Sequence, residues 1–153
     1  MDIERLSSGT CAIARAATVM GDAWTLLILR DAGLGLTRFD QFRCSLGIAP
    51  NILTRRLTAM VAQGLLERRQ YQDHPPRHEY VLTESGRDLL PVLMALGAWA
   101  RRNCGSAPTS SWEDTETGRP IDPIVVDRAT GQPIGEIEMR MVMPDTESQP
   151  QEV

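Results

Sequence analysis

Residues 47–64 read GIAPNILTRRLTAMVAQG, and this stretch decides the fold. Pro50 suits the first position of a helix, where its missing N–H costs nothing. Leu53, Leu57, Met60 and Val61 recur at helical spacing and form a stripe for a core, and Gly64 ends the helix. The other face presents Asn51, Thr54, Arg55 and Thr58. Ahead of it, Thr37 is placed to cap a short helix, Arg38 to Ser45, with Phe39 and Phe42 on one face. A short helix, a tight glycine turn at Gly47 and a second helix with a polar, Arg-bearing face make the layout of a helix-turn-helix.

Downstream the period changes. In LLERRQYQDHPPRHEYVLT (65–83), Leu66, Arg68 and Gln70 alternate with Glu67, Arg69 and Tyr71, and His78, Tyr80 and Leu82 alternate with Glu79 and Val81. This predicts a β-hairpin whose tip holds Asp73, His74, Pro75, Pro76 and Arg77, because consecutive prolines cannot sit inside a paired strand. A hairpin in this position is a wing. Thr83 caps one long helix over about 84–103, kinked at Pro91, with Leu89, Leu93, Leu96, Trp99 and Ala100 on its apolar face. Leu90, Val92 and Met94 add more apolar surface than one small domain uses, which predicts a helix-mediated homodimer.

Upstream, Ile13, Ala16, Ala17, Met20, Trp24, Leu27 and Ile28 mark residues 11–32 as helix, divided or bent at Gly21. Residues 105–119, rich in Ser, Thr and Gly, read as a linker between the 1–104 domain and a small extension. There TGRPIDPI (117–124) recurs as TGQPIGEI (130–137). Ile124 to Val126, a turn at Arg128 to Gly131, and Ile137, Met139, Met141 and Met143 at alternate positions predict a β-hairpin over 120–143. Residues 144–153 are polar and expected to be disordered. The expected fold class is α+β, mostly α: a winged helix-turn-helix with a long C-terminal dimerisation helix and an appended β-hairpin tail.

Charge sharpens the functional reading. Residues 1–104 hold 13 Arg against 10 acidic residues, whereas 105–153 hold 3 Arg against 10 acidic residues, so the basic character lies where a polyanion would bind. There is no Lys, which reflects either Arg-favoured bidentate contacts or genomic base composition. Three cysteines without CxxC spacing argue against a disulfide framework and a zinc site; no metal and no cofactor are expected. No run of eighteen apolar residues and no signal-peptide layout occur, which predicts a cytoplasmic protein without membrane contact. His74 and His78 bring no third ligand or general base, and no nucleophile elbow, phosphate loop or HExxH is present, so an enzyme is not expected.

CAIARAATVMGDAWTLLILRDAGLGLTRFDQF (11–42), GIAPNILTRRLTAMVAQGLLERRQY (47–71) and PPRHEYVLTESGRDLLPVLMALGAW (75–99) together resemble the HxlR family of bacterial regulators. The resemblance covers roughly residues 11–100 in order and spacing. It implies a winged-helix homodimer whose terminal helices pair, with target genes often in stress or catabolic pathways; the expected partner is double-stranded DNA and the expected role that of a repressor, with activation left open by the residues. Ala49 stands where the family usually has a capping Ser, a loss of about 1 kcal/mol. In some relatives the tail resembles a zinc ribbon with a CxxCG turn; here that turn is Asp127-Arg128-Ala129-Thr130-Gly131, without thiolates, so the hairpin is expected to fold without metal.

On this reading Asn51, Thr54, Arg55 and Thr58 face the major groove, with Pro50 at the helix start and Arg38 on the preceding helix, and Arg55 is the residue for a guanine edge or phosphate. Arg56, about 100° further round, touches DNA backbone or an acidic neighbour. His74 and Arg77 reach phosphate or the minor groove from the wing, and Arg69 divides between backbone contact and pairing within the domain. Cys11 matches a family position that in some members is a thiol switch; the other reading is a small buried residue at the dimer interface, and Arg15 one turn away would activate the thiol. Trp24 and Trp99, with Tyr80, Met20, Met60 and Met94, either line a pocket for a small-molecule effector between subunits or are plain core. The alternative function is a protein-binding module that uses the winged helix and the acidic tail.

Overall fold

The computed structural model describes residues 9–142 and 144. Met143 and residues 145–153, which complete the expected hairpin and tail, lie outside the described residues. The chain folds as α1 (Ala12–Met20), α2 (Ala23–Gly33), α3 (Phe39–Leu46), α4 (Pro50–Ala62), β1 (Leu66–Gln72), β2 (Arg77–Leu82), α5 (Glu84–Asp88), α6 (Leu90–Asn103), β3 (Trp112–Glu113) and β4 (Pro120–Ile121). One 3₁₀ turn follows at Ile134–Glu136.

The break expected at Gly21 separates α1 from α2 and turns the chain by 79°. Asp22 restarts the helix: its Oδ1 accepts from the N–H groups of Trp24 and Thr25 at 3.0 and 3.2 Å. These are two of the donors that a helix start leaves unpaired. The core forms where α2, α3, α4 and β1 meet, and buries Ile28, Leu29, Phe42, Ile48, Leu53, Leu57, Met60, Leu65 and Leu66. Among the described residues no single helix is long and apolar enough to cross a membrane.

The turn between α3 and α4 is made by Gly47 at φ 59°, a left-handed conformation that a side chain would strain. α3 begins one residue later than the sequence suggests. The N–H groups of Thr37 and Arg38, just ahead of it, are taken by the Gln41 Oε1 at 3.0 and 2.9 Å. Thr37 is therefore not the cap; the longer Gln41 side chain reaches back from inside the helix. Ala49 leaves the start of α4 without a side-chain cap, as the residue type requires.

β1 and β2 pair antiparallel from Leu66↔Leu82 to Gln72↔Arg77, with an irregularity between Gln70 and Gln72, and Asp73 to Pro76 form the connection. β2 also receives the segment before α3, through an isolated bridge Arg38↔Glu79 and the Tyr80 N–H to Thr37 carbonyl bond at 2.7 Å. This contact fixes the wing against the helix-turn-helix.

The structure departs from three further expectations. The long helix over 84–103 is two helices, broken at Leu89 and capped first by Thr83, whose Oγ accepts from the Gly86 N–H. Pro91 stands in the first turn of α6. It has no N–H for the Arg87 carbonyl and its ring crowds that turn, so the chain restarts instead of kinking. The tail is not one hairpin over 120–143, and 105–119 is not wholly a linker. β3 pairs with β4, Val126 bridges Pro133, and no strand runs through 137–142.

The sequence repeat marks two copies of one turn, Asp-x-x-Thr-Gly, at 114–118 and 127–131. In the first, Asp114 Oδ1 accepts from Glu116 N–H at 2.9 Å, and the Gly118 N–H bonds the Asp114 carbonyl at 2.8 Å. In the second, Asp127 Oδ2 accepts from Thr130 N–H at 3.1 Å and from its hydroxyl at 2.8 Å, and Gly131 N–H bonds the Asp127 carbonyl at 2.7 Å. The turns capture the backbone locally and leave each ladder one or two residues long.

Candidate nucleic-acid interface

The packing of α4 sets the orientation of its outer face. Leu53, Leu57 and Met60 enter the core, which leaves Asn51, Thr54, Arg55 and Thr58 exposed on the opposite side. Positions 51, 54, 55 and 58 share one helical stripe, so four polar side chains converge on a surface about two turns long. Pro50 is exposed at its leading end. Thr54 donates its hydroxyl to the Pro50 carbonyl at 2.9 Å, which ties the first turn. Arg55 makes no hydrogen bond or ion pair within the described residues and projects its five donors to solvent.

Arg56 takes the other outcome open to it. Its NH1 lies 3.3 Å from Asp22 Oδ2, with both side chains less than a third exposed. The Nε is buried without a partner among the described residues. Asp22 caps α2, so this pair bolts the start of α2 to the middle of α4. Arg56 is thus held within the domain, apart from the exposed stripe of Asn51, Thr54, Arg55 and Thr58, and positions the helix.

The wing carries most of the remaining candidates. Arg77 and His74 are exposed at the tip. Arg69 donates to Glu67 Oε2 at 2.8 Å along the same strand. That hydrogen bond from Arg69 holds the Glu67 carboxyl below its usual range and raises the Arg69 guanidinium further. Arg69 is therefore engaged within the domain in the free protein, and Arg68 faces the His78 ring at 3.1 Å. Arg38 lies over the Tyr71 ring, 4.8 Å from its centroid. That contact joins the start of α3 to β1, and the sequence reading passes over it. Its signal is an aromatic residue near the far end of an otherwise polar strand.

The regulatory candidates separate. Cys11 is partly exposed and stands at the N-terminal end of α1. Arg15 directs its Nε to the Gly9 carbonyl at 2.9 Å. Cys44 and Cys104 are exposed. The aromatic and Met residues expected to line an effector pocket do not gather in one place. Met60 is core, Trp24 and Tyr80 pack against the core, and Trp99 lies on the outer face of α6, 52% exposed. A cavity does exist, between α2 and α6, and of those six residues only Met94 lines it.

Comparison with known proteins agrees with this architecture. Residues 19–108 match the family of HxlR-like helix-turn-helix proteins. An uncharacterised HTH-type transcriptional regulator of Mycobacterium tuberculosis is 46% identical over 87 residues, 57% of this chain and 55% of that protein, so the chain matches about half the length of this relative. The crystal structure of PA1607, a candidate transcription factor, superposes with a TM-score of 0.81 at 33% identity, covering 90% of this chain and 98% of that one. Such coverage is reached only by including much of the tail, which is therefore shared architecture. The redox regulator HypR in its reduced form matches with a TM-score of 0.58 at 30% identity, covering 61% of this chain and 94% of its own. Because the family match spans the helix-turn-helix, the wing and α6 together, the chain belongs to the HxlR-like helix-turn-helix family.

Proposed function

We propose that the protein is a transcriptional repressor that binds double-stranded DNA as a homodimer, with α4 in the major groove and the β1–β2 wing on the adjoining backbone or minor groove. The observation that carries this reading is the outer stripe of α4: Asn51, Thr54, Arg55 and Thr58 exposed together, with Arg55 unengaged. Arg55 is the residue for a guanine edge, and Asn51 suits an adenine edge. Pro50, Thr58 and Arg38 flank them, and His74 and Arg77 hold phosphates and set register. Arg69 contributes once DNA phosphate competes with Glu67.

The dimer is inferred from α6. Val92, Leu96 and Trp99 fall on one stripe and are 50, 46 and 52% exposed, an apolar strip that a second copy would cover. Pairing through α6 places two α4 helices to read half-sites about one DNA turn, roughly 34 Å, apart. Cys11 is the position at which a thiol-reactive signal would act, a reading supported by the likeness to a redox regulator known in reduced and oxidised forms. Nothing in the reading calls for a metal, a cofactor or a catalytic residue, and its setting is the cytoplasm.

Hydroxyl-radical footprinting on the intergenic DNA beside the gene tests the arrangement. The expected pattern is two protected segments on one face of the duplex, about one turn apart. A single protected segment would remove the dimeric arrangement, and uniform cleavage would remove DNA binding altogether.

A further inference from the structure

The cavity between α2 and α6 has a volume of about 700 Å³ and extends along α2 from Ala23 to Leu34. That size is within the range of sites for small organic ligands, which are mostly apolar with a few placed polar groups. Its walls are Leu26 and Leu27 of α2, Leu93 and Met94 of α6, and Trp112 of the tail, with Arg101 at one end. Gly97 also borders it, and a Cβ built there would meet nothing within 4 Å, so the space extends to the α6 backbone.

This is not the strip assigned to the dimer. At 100° per residue, Leu93, Gly97 and Ala100 lie roughly a third of a turn round α6 from Val92, Leu96 and Trp99. Only Leu96 belongs to both, so a second copy can cover the outer strip and leave the cavity open.

The cations give the cavity its chemistry. Arg30, which also lines it, is held by Asp31 of the same helix at 2.7 Å. Asp122 receives a hydrogen bond from Arg102 at 3.1 Å, and Arg101 stands 3.9 Å from that same oxygen. Two guanidinium groups therefore share one carboxylate, and Arg101 has no hydrogen bond among the described residues although its side chain is only 22% exposed. A largely desolvated guanidinium beside apolar walls favours a carboxylate that brings its own apolar body.

We propose that this cavity is a binding site for a small amphipathic carboxylate, its aromatic or branched aliphatic body between Leu27, Leu93 and Trp112 and its carboxylate on Arg101. Binding does not depend on the DNA-binding reading; its consequence for DNA does. α2 forms one wall of the cavity and is capped by Asp22, which holds Arg56 of α4. A ligand that moves α2 against α6 would thus act on the helix proposed to enter the major groove.

Isothermal titration of the full chain with biphenyl-4-carboxylate and with its uncharged isostere, biphenyl-4-carboxamide, tests the site without DNA. The expected result is one site per chain and roughly a tenfold or greater preference for the carboxylate, as a charge-assisted bidentate pair allows. Arg101→Gln should abolish that preference while Arg102→Gln retains it, and Gly97→Phe should abolish binding of both compounds. Thermal unfolding of each variant would confirm that it folds. Equal binding of the two compounds, or a preference that survives Arg101→Gln, would overturn the proposal. So would no heat with either compound at millimolar concentration. In that last case, a dimer in the parent chain that Gly97→Phe converts to monomer would assign the cavity to a second copy. Loss of DNA binding in a separate assay would leave these titrations interpretable.

Discussion

Arg55 and Arg56 are adjacent in sequence and are placed in opposite chemical settings by about 100° of helix rotation. Arg55 points to solvent and is available to nucleic acid; Arg56 is clamped to Asp22 and stabilises the domain. Their alanine variants should therefore fail differently. Arg55→Ala is expected to weaken DNA binding by about 1–3 kcal/mol and leave thermal unfolding unchanged. Arg56→Ala should destabilise the fold by about 1–2 kcal/mol, between the values for exposed and buried pairs, by urea titration. If the two variants changed places, α4 would have to sit rotated in the domain, with Arg56 outward and Arg55 against Asp22. Gly86 provides a second residue-level test. A Cβ there would collide with the Leu65 carbonyl oxygen, a backbone atom that cannot step aside. Gly86→Ala should lower stability by about 1–3 kcal/mol in the same urea measurement.

The elements differ in how far the sequence announces them. The helix-turn-helix and wing are legible because each carries its own punctuation: Pro50 and Gly64 bound α4, and Pro75-Pro76 can only be a tip. The break at Leu89 is half legible. Pro91 is visible, but whether a proline kinks a helix or starts a new one depends on the turn ahead of it, here closed by the Leu89 N–H to Gly86 carbonyl bond at 3.3 Å. The tail misleads because alternation at Ile137, Met139 and Met141 imitates a strand, while the Asp-x-x-Thr-Gly turns capture the backbone within five residues. Those turns make a prediction of their own. A backbone N–H bond from Glu116 lowers the Asp114 carboxyl, and the Thr130 side chain lowers that of Asp127, each below its ordinary value near 3.8. A depressed folded-state value means the ionised form is favoured by the fold. The stabilisation is thus fully present above about pH 4 and lost as pH falls through the lowered value. Amide exchange at Glu116 and Thr130 should be slow at neutral pH relative to a random chain. Protection should fall as pH drops through the lowered carboxyl values, and Asp127→Ala should remove it at Thr130 at every pH. Protection at Thr130 that survives Asp127→Ala would mean that the carboxylate does not hold this turn.

At the scale of the whole molecule, the proposed division of labour follows from burial. α4 and the wing present polar and basic side chains, α6 presents Val92, Leu96 and Trp99, and the acidic extension packs beside α6 through Asp122 on Arg101 and Arg102. The cavity is the part that sequence reading could not assemble. Its walls come from positions 23–34, 90–101 and 110–112, and no periodicity within one segment reports on a space between three. Replacing Leu96 and Trp99 by Glu should convert a dimer to a monomer in sedimentation velocity and weaken operator binding. The measurement closest to the central proposal is fluorescence anisotropy of the intergenic duplex with the purified protein, across a salt series, with Arg55→Ala alongside. A DNA-binding α4 requires tight binding that survives random competitor duplex and falls steeply and linearly in log–log form with salt, as phosphate contacts dictate. Binding should also be weaker for Arg55→Ala by about fivefold to a hundredfold, the equivalent of about 1–3 kcal/mol. Absence of binding at low salt, to the intergenic and random duplexes alike, would contradict the proposal and turn attention to a protein partner for the winged helix and acidic tail.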